Sequence, residues 1–267
     1  MSDSKLNFIE SGSGNKTVVF VHGNSQSAEY WDEVVAAMAH HSALRTIAID
    51  LPGHGKSFRS SDPLSDYSLK GMAAILTEFI NEKVQGSFIV VANSLGCNLV
   101  GEGIGKLKNC VGVFFSGSTA IGMGVGLQEI VKPNPNVGIC FAADFTEEQL
   151  HALAVDAGFR LNSKSVEKIK KTFALTDPQF RVALANCVGK GEYSDELAAI
   201  KATGLPLAVV YGEHDSLCHT HCLNEIDLAL WKSQVLMLKE SGHCSHLDRP
   251  EELAKLICQF SENCFRK

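Results

Sequence analysis

The sequence predicts an α/β protein: a mostly parallel central sheet of about eight strands, flanked by helices, with a helical cap inserted after the sixth strand. Three observations predict it. Short, nearly continuous apolar runs rich in β-branched residues alternate with longer helical patterns, as expected of strands covered on both faces. The alternation breaks after Ser116, and no strand pattern returns until about Leu205. No internal repeat or low-complexity segment divides the chain, so one domain with an excursion accounts for all 267 residues.

Leu6–Glu10, followed by Ser-Gly-Ser-Gly-Asn, predicts the first arm of an amino-terminal hairpin. Strands are predicted at Thr17–Val21, Arg45–Asp50, Phe88–Ala92, Val111–Phe115, Leu207–Tyr211 and Val235–Leu238, and core helices at Ala28–His40, Leu69–Glu82, Leu95–Lys106 and Glu251–Phe260. Asp248 is the expected cap of the last helix, with Pro250 at an early helical position. The excursion, residues 119–204, opens with Gly122, Gly124 and Gly126 and a stiff Pro133-Asn-Pro135 elbow. Thr146-Glu-Glu-Gln149 has capping-box spacing. Asn162-Ser163 precedes an amphipathic stretch over Val166–Leu175, and Asp177-Pro178 opens another that Gly189 can close. Residues 1–118 and 205–267 form the expected core.

The formal net charge of -6 and a pI near 5.9 argue against a nucleic-acid partner, which needs clustered Lys and Arg. Apolar runs are strand length, too short to span a bilayer. The start, Met1-Ser-Asp-Ser-Lys5, lacks the apolar core of an export signal, and nine cysteines form no framework of close spacings. The expectation is reduced thiols in the cytoplasm.

Ser94 stands where the apolar run Phe88–Ala92 meets a helical pattern, inside Ala92-Asn-Ser-Leu-Gly96. Small residues on both sides allow a sharp strand-to-helix turn that lifts the hydroxyl above the sheet. A neutral hydroxyl needs a base to become a nucleophile. His243, after Gly242 at the end of the last strand, is the candidate; His246 is expected to pack or hydrogen-bond nearby. Asp215 in Gly212-Glu-His-Asp215 is the expected acid that orients the base, with Glu213 in reserve. Acyl chemistry also needs two N–H donors for the developing oxyanion, for which Leu95 and Asn24 are the candidates. His22, beside Gly23, is expected to brace the second donor's loop.

His22-Gly-Asn-Ser25, Asp50-Leu-Pro-Gly-His-Gly-Lys-Ser57, Ala92-Asn-Ser-Leu-Gly96, Gly212-Glu-His-Asp215 and Gly242-His243 together resemble the α/β-hydrolase superfamily, and they span the chain end to end. The resemblance implies the α/β-hydrolase fold, a triad of Ser94, Asp215 and His243, and an oxyanion hole at Asn24 and Leu95. Within the superfamily the chain looks most like small serine hydrolases that open N-acyl-homoserine lactones, through His22–Ser25, Asp50–Ser57, Asp62-Pro with Tyr67-Ser, Ser116-Gly117 and Leu205–Val210. It departs from them at Ala152-Leu153, near where they carry a cap tyrosine, and at Asp215, where their acid is Glu.

The expected partner is therefore a small-molecule acyl ester or lactone, with no cofactor. A general carboxylesterase, an acyltransferase and a slow-turnover ligand receptor use the same geometry and stay open. Phe141, Phe145 and Leu153 are the expected substrate-binding residues, with Leu150, Phe159 and Phe173 the other large apolar residues of the cap. His214, Cys218, His219, His221 and Cys222 crowd one loop, and His243, Cys244 and His246 another. No second close cysteine pair completes a structural zinc site, so no metal is assigned.

Overall fold

The computed structural model describes residues 6–39 and 44–266. The reading of the amino terminus and the end of the first predicted helix at His40 lie outside them. In chain order the elements are β1 (Phe8–Ser11), β2 (Thr17–Val21), α1 (Asp32–Ala39), β3 (Arg45–Ile49), α2 (Pro63–Asp66), α3 (Leu69–Lys83), β4 (Phe88–Ser94), α4 (Leu95–Gly103), β5 (Cys110–Ser118), α5 (Leu127–Ile130), α6 (Glu147–Asp156), α7 (Ser163–Leu175), α8 (Pro178–Gly189), α9 (Glu196–Thr203), β6 (Leu207–Gly212), β7 (Leu236–Leu238), α10 (Ser245–Asp248) and α11 (Pro250–Phe265).

Seven described strands, against the expected eight or so, form one sheet in the order β1-β3-β2-β4-β5-β6-β7. All pairs are parallel except β1 with β3. The expected amino-terminal hairpin is not formed: β1 runs antiparallel to β3, with Phe8 opposite Ile49. Gly12 explains the route. Its φ is +73°, and an added Cβ would lie 2.2 Å from the Leu44 carbonyl oxygen, so the loop after β1 lies on the chain leading into β3. Arg45 then holds Glu10 at 2.7 Å across that edge.

Strands β2 to β6 bury almost every side chain on both faces. One face packs against α3 and α4, with Leu76, Ile80, Leu99 and Val100 in its core; the other packs against α1 and α11, with Trp31, Val34, Ile257 and Phe260. At about 25 cal/mol per Å² of apolar surface, a two-sided core of this kind is the main stabilising term.

The helical excursion leaves from β5, the fifth described strand, and returns at β6. Its helices start where local chemistry directs. Thr146 and Gln149 form the reciprocal cap of α6, Asn162 accepts from Ser165 N at α7, and Asp177 accepts from Gln179 N at α8. Helices α6 and α7 stand over the carboxyl ends of the strands, through Ala154, Ala157, Val166 and Ile169 against Tyr30, Cys244 and Leu247. Helices α8 and α9 pack into the same apolar cluster as α3 and α4, through Phe180, Leu184, Leu197 and Ile200. Asp248 does not cap α11. That place is Arg249's, and the Asp248 carboxylate accepts from Phe159 N and Gly242 N, tying the cap to the β7–α10 loop.

No helix among the described residues is long and apolar enough to cross a membrane.

Candidate active site

Asn24, Ser94, Leu95, Asp215 and His243 follow the carboxyl ends of β2, β4, β6 and β7, where open parallel sheets place their ligands. At the β4–α4 corner Ser94 has φ 50° and ψ -123°, strained for a residue with a Cβ. It sits at the N-cap of α4, yet its side chain makes no capping bond. The hydroxyl is thereby left for the cavity, and a purely structural capping role is excluded. Gly96 makes the corner possible. A Cβ there would lie 2.8 Å from both the Val21 and His22 carbonyl oxygens, so only glycine lets α4 begin this close to the end of β2.

His243 is buried and directs Nδ1 to Asp215 Oδ2 at 3.0 Å. The other carboxylate oxygen, Oδ1, accepts from Leu217 N and Cys218 N, each at 2.9 Å. In the neutral ring this favours the tautomer with the proton on Nδ1, toward Asp215, and the lone pair on Nε2. Burial alone would raise the Asp215 pKa, but His243 and the two backbone donors hold it below the ordinary carboxylate value. Burial likewise opposes a charged His243, and the adjacent Asp215 carboxylate overrides it, raising the imidazole above its usual range. Glu213, the reserve acid, is exposed and lies 3.8 Å from His214, away from His243.

Leu95 is the first residue of α4, so its N–H has no intrahelical acceptor. The Asn24 loop is braced from both sides. His22 donates from Nδ1 to Gly23 O at 2.8 Å and accepts Leu51 N at Nε2; His54 donates from Nδ1 to Pro52 O and accepts Ser25 N at Nε2, 3.1 Å. Burial lowers the His22 pKa to about 4, so it remains a neutral brace. Asp50 gathers the same region, accepting from Ala28 N and Lys56 N and from the Asn7 amide.

Two cavities meet at Asn24, Ser94, Cys140, Leu217 and His243. The larger is lined mainly by apolar side chains such as Leu69, Ile121, Val131 and Leu184, with Asn98, Thr119 and Tyr193 among its polar groups. The smaller runs beneath α6 and α7 past Gln26 and Tyr30. Phe141 lines the larger cavity, Leu153 and Phe173 the smaller. Phe145 is brought to neither: its ring packs edge-on against Phe173 at 5.1 Å, beside the buried Arg181 guanidinium. Leu150 packs with Ile139 and Phe173, and Phe159 stacks on His214 at 3.9 Å.

Gln26 and Asn93 were not singled out from the sequence. Gln26 Oε1 accepts from Gly23 N, its Nε2 donates to Asn93 Oδ1 at 3.2 Å, and the Asn93 amide donates to Ser116 O and His243 O. The pair ties the Asn24 loop, the Ser94 corner and the His243 loop together. Their positions beside Asn24 and Ser94 were the available signal. His246 does pack, as expected: its ring lies 4.9 Å from Trp31. Of the histidines and cysteines of the 214–222 loop, Cys218 reaches His243 Nδ1, at 3.7 Å, and the others turn elsewhere. His214 stacks on Phe159, His219 meets His221 edge-on, and Cys222 donates to Glu129 O.

This corner, the His243–Asp215 pair beside it and the sheet order are those of an α/β hydrolase. The profile of the alpha/beta hydrolase family matches residues 18–256, and the chain belongs to that family. Among curated relatives, the pimeloyl-[acyl-carrier protein] methyl ester esterase of Yersinia pseudotuberculosis is 23% identical over 263 residues, covering 97% of this chain and 98% of that one. Among solved structures, a mutant of N-acyl homoserine lactonase AidH complexed with N-hexanoyl homoserine lactone superposes with a TM-score of 0.87 at 23% identity, covering 100% of this chain and 97% of that one. A thermophilic esterase from Thermogutta terrifontis superposes with a TM-score of 0.75 at 19% identity, covering 97% and 93%.

Proposed function

We propose that the protein hydrolyses carboxylic esters and lactones through an acyl-enzyme on Ser94, and that an N-acyl-homoserine lactone is its substrate. The observation that carries the proposal is the strained, uncapped Ser94 sharing its cavity with a His243 whose tautomer Asp215 fixes. His243 Nε2 takes the Ser94 proton as Oγ bonds to the lactone carbonyl carbon. Asn24 N–H and Leu95 N–H hold the oxyanion. The ring C–O bond then breaks, and its oxygen leaves with the proton from His243 as a free hydroxyl. Water, deprotonated by the same imidazole, releases the acyl-homoserine and restores Ser94. The larger, apolar cavity suits the fatty chain. The relatives' ester and lactone substrates support this class of reaction.

The test is a matched panel of acyl-homoserine lactones and simple esters, with products identified by mass, for the wild type and Ser94→Ala. Ring-opened acyl-homoserine from the wild type supports the lactone. Ester cleavage without ring opening points to a general carboxylesterase. In Ser94→Ala, kcat should fall toward the ~10⁶-fold loss known for triad removal; turnover near the parental rate would overturn the assignment.

A further inference from the structure

We infer that Asp215, Cys218 and His243 form an inhibitory binding site for a thiophilic divalent cation such as Zn²⁺, built directly behind the base. One ligand atom from each residue lies within 4.8 Å of the other two, and all three side chains are buried. Cys218 Sγ is 3.7 Å from His243 Nδ1, and Asp215 Oδ2 is 3.0 Å from the same nitrogen. Tetrahedral Zn²⁺ with bonds of ~2.0 Å to N and O and ~2.3 Å to S would set sulfur about 3.5 Å from nitrogen and from oxygen, and nitrogen about 3.3 Å from oxygen. Binding draws the Cys218 sulfur and Asp215 Oδ2, within 4.8 Å of one another, to that separation.

Asp215 Oδ1 is already engaged by Leu217 N and Cys218 N, which aims Oδ2 at the site. Cys218 and His243 both line the larger cavity, the side from which a fourth ligand would come. The Lys132 ammonium, bound to the Asp215 carbonyl, opposes a nearby cation. The metal brings two positive charges; the thiol releases its proton to solvent and the Nδ1 proton moves to Nε2, leaving a thiolate and a carboxylate to balance the charge.

The inhibitory effect rests on the proposed Ser94–His243 chemistry and follows from the tautomer. A metal at Nδ1 displaces that proton, and the neutral imidazole then carries its hydrogen on Nε2. The lone pair that would accept the Ser94 proton is gone. Inhibition should therefore appear in kcat and be reversed by a chelator.

Two measurements on the full-length protein test the inference. Co²⁺ titration reads the site without turnover: one equivalent should give a thiolate-to-metal charge-transfer band that is absent in Cys218→Ser, a near-isosteric change. Zn²⁺ inhibition of ester hydrolysis, normalised to each protein's own metal-free rate, should weaken in Cys218→Ser by more than the ~10–100-fold that even outer-shell partners are worth. A band that persists in Cys218→Ser, or an active enzyme indifferent to Zn²⁺ and Co²⁺, overturns the metal site and leaves the hydrolase reading standing. A Cys218-dependent band in a protein without hydrolytic activity sustains the site and overturns the hydrolase instead.

Discussion

Asp215 shows how much of the candidate chemistry is arranged by a single side chain. One oxygen is clamped by two backbone N–H groups and the other is given to His243. Replacement by Asn keeps the shape but allows the amide to donate to Nδ1, which selects the wrong tautomer. In Asp215→Asn, kcat for ester hydrolysis should drop by about 10⁴ with little change in KM. The pH profile should move too. Because Asp215 raises the imidazole pKa against the effect of burial, the active, neutral base accumulates only above the ordinary histidine range. Removing the carboxylate should shift the acid limb of residual kcat/KM to lower pH, and a limb that stays in place would mean another group sets it. Ser94, Asp215 and His243 stand out in the sequence as candidates because each follows an apolar strand run with a small residue close by. Gln26, Asn93 and His54 could not be assigned roles that way. Each acts through a partner brought from elsewhere in the chain, as Gln26 does with Asn93.

At the scale of elements, the approach of α4 to β2 determines whether Ser94 and Asn24 face one another. In Gly96→Ala the new Cβ would meet two backbone oxygens at 2.8 Å, neither of which can rotate away. The helix start must retreat instead. The urea midpoint should fall by an amount equivalent to ~1–3 kcal/mol, as for other overpacked sites, and kcat should fall with it; a variant matching the wild type in both would show that the corner has slack. In the cap, Thr146→Ala removes one half of the α6 capping box and should cost about 1 kcal/mol, measured by the same unfolding titration. Helix starts were legible because a cap is a contact across three residues. The β1–β3 pairing and the role of Asp248 were not, since both depend on segments tens of residues away. Phe145 illustrates the same limit: hydrophobicity and its place in the cap mark it as substrate-binding, but its packing on Phe173 and beside Arg181 keeps it out of both cavities.

For the whole molecule, buried titratable groups predict a stability that declines on both sides of a maximum near neutral pH. His22, His54 and His246 are fully buried and neutral; burial depresses the first to about 4, the second well below its usual value and the third to about 3. An unfolded chain binds protons at these residues from about pH 6.5 downward while the native state does not, so their contribution is complete above that pH and is lost as the solution becomes more acidic. Glu196 works the other way. Burial raises it to about 9, although it accepts from Asn98 and Ile121 N, so its contribution is present below pH 4.5 and is lost as pH rises from there to about 9. His243, raised by Asp215, adds to the alkaline decline. Variants separate the limbs. His246 has no hydrogen-bond partner on either ring nitrogen among the described residues and packs against Trp31 and Tyr30, so phenylalanine fits its surroundings. His246→Phe should raise Tm more at pH 5 than at pH 7, and Glu196→Gln should raise it more at pH 8.5 than at pH 6. Melting curves by circular dichroism from pH 4 to 9 provide the comparison. If the two variants shift Tm by the same amount at every pH, the buried groups do not titrate on unfolding as their surroundings require.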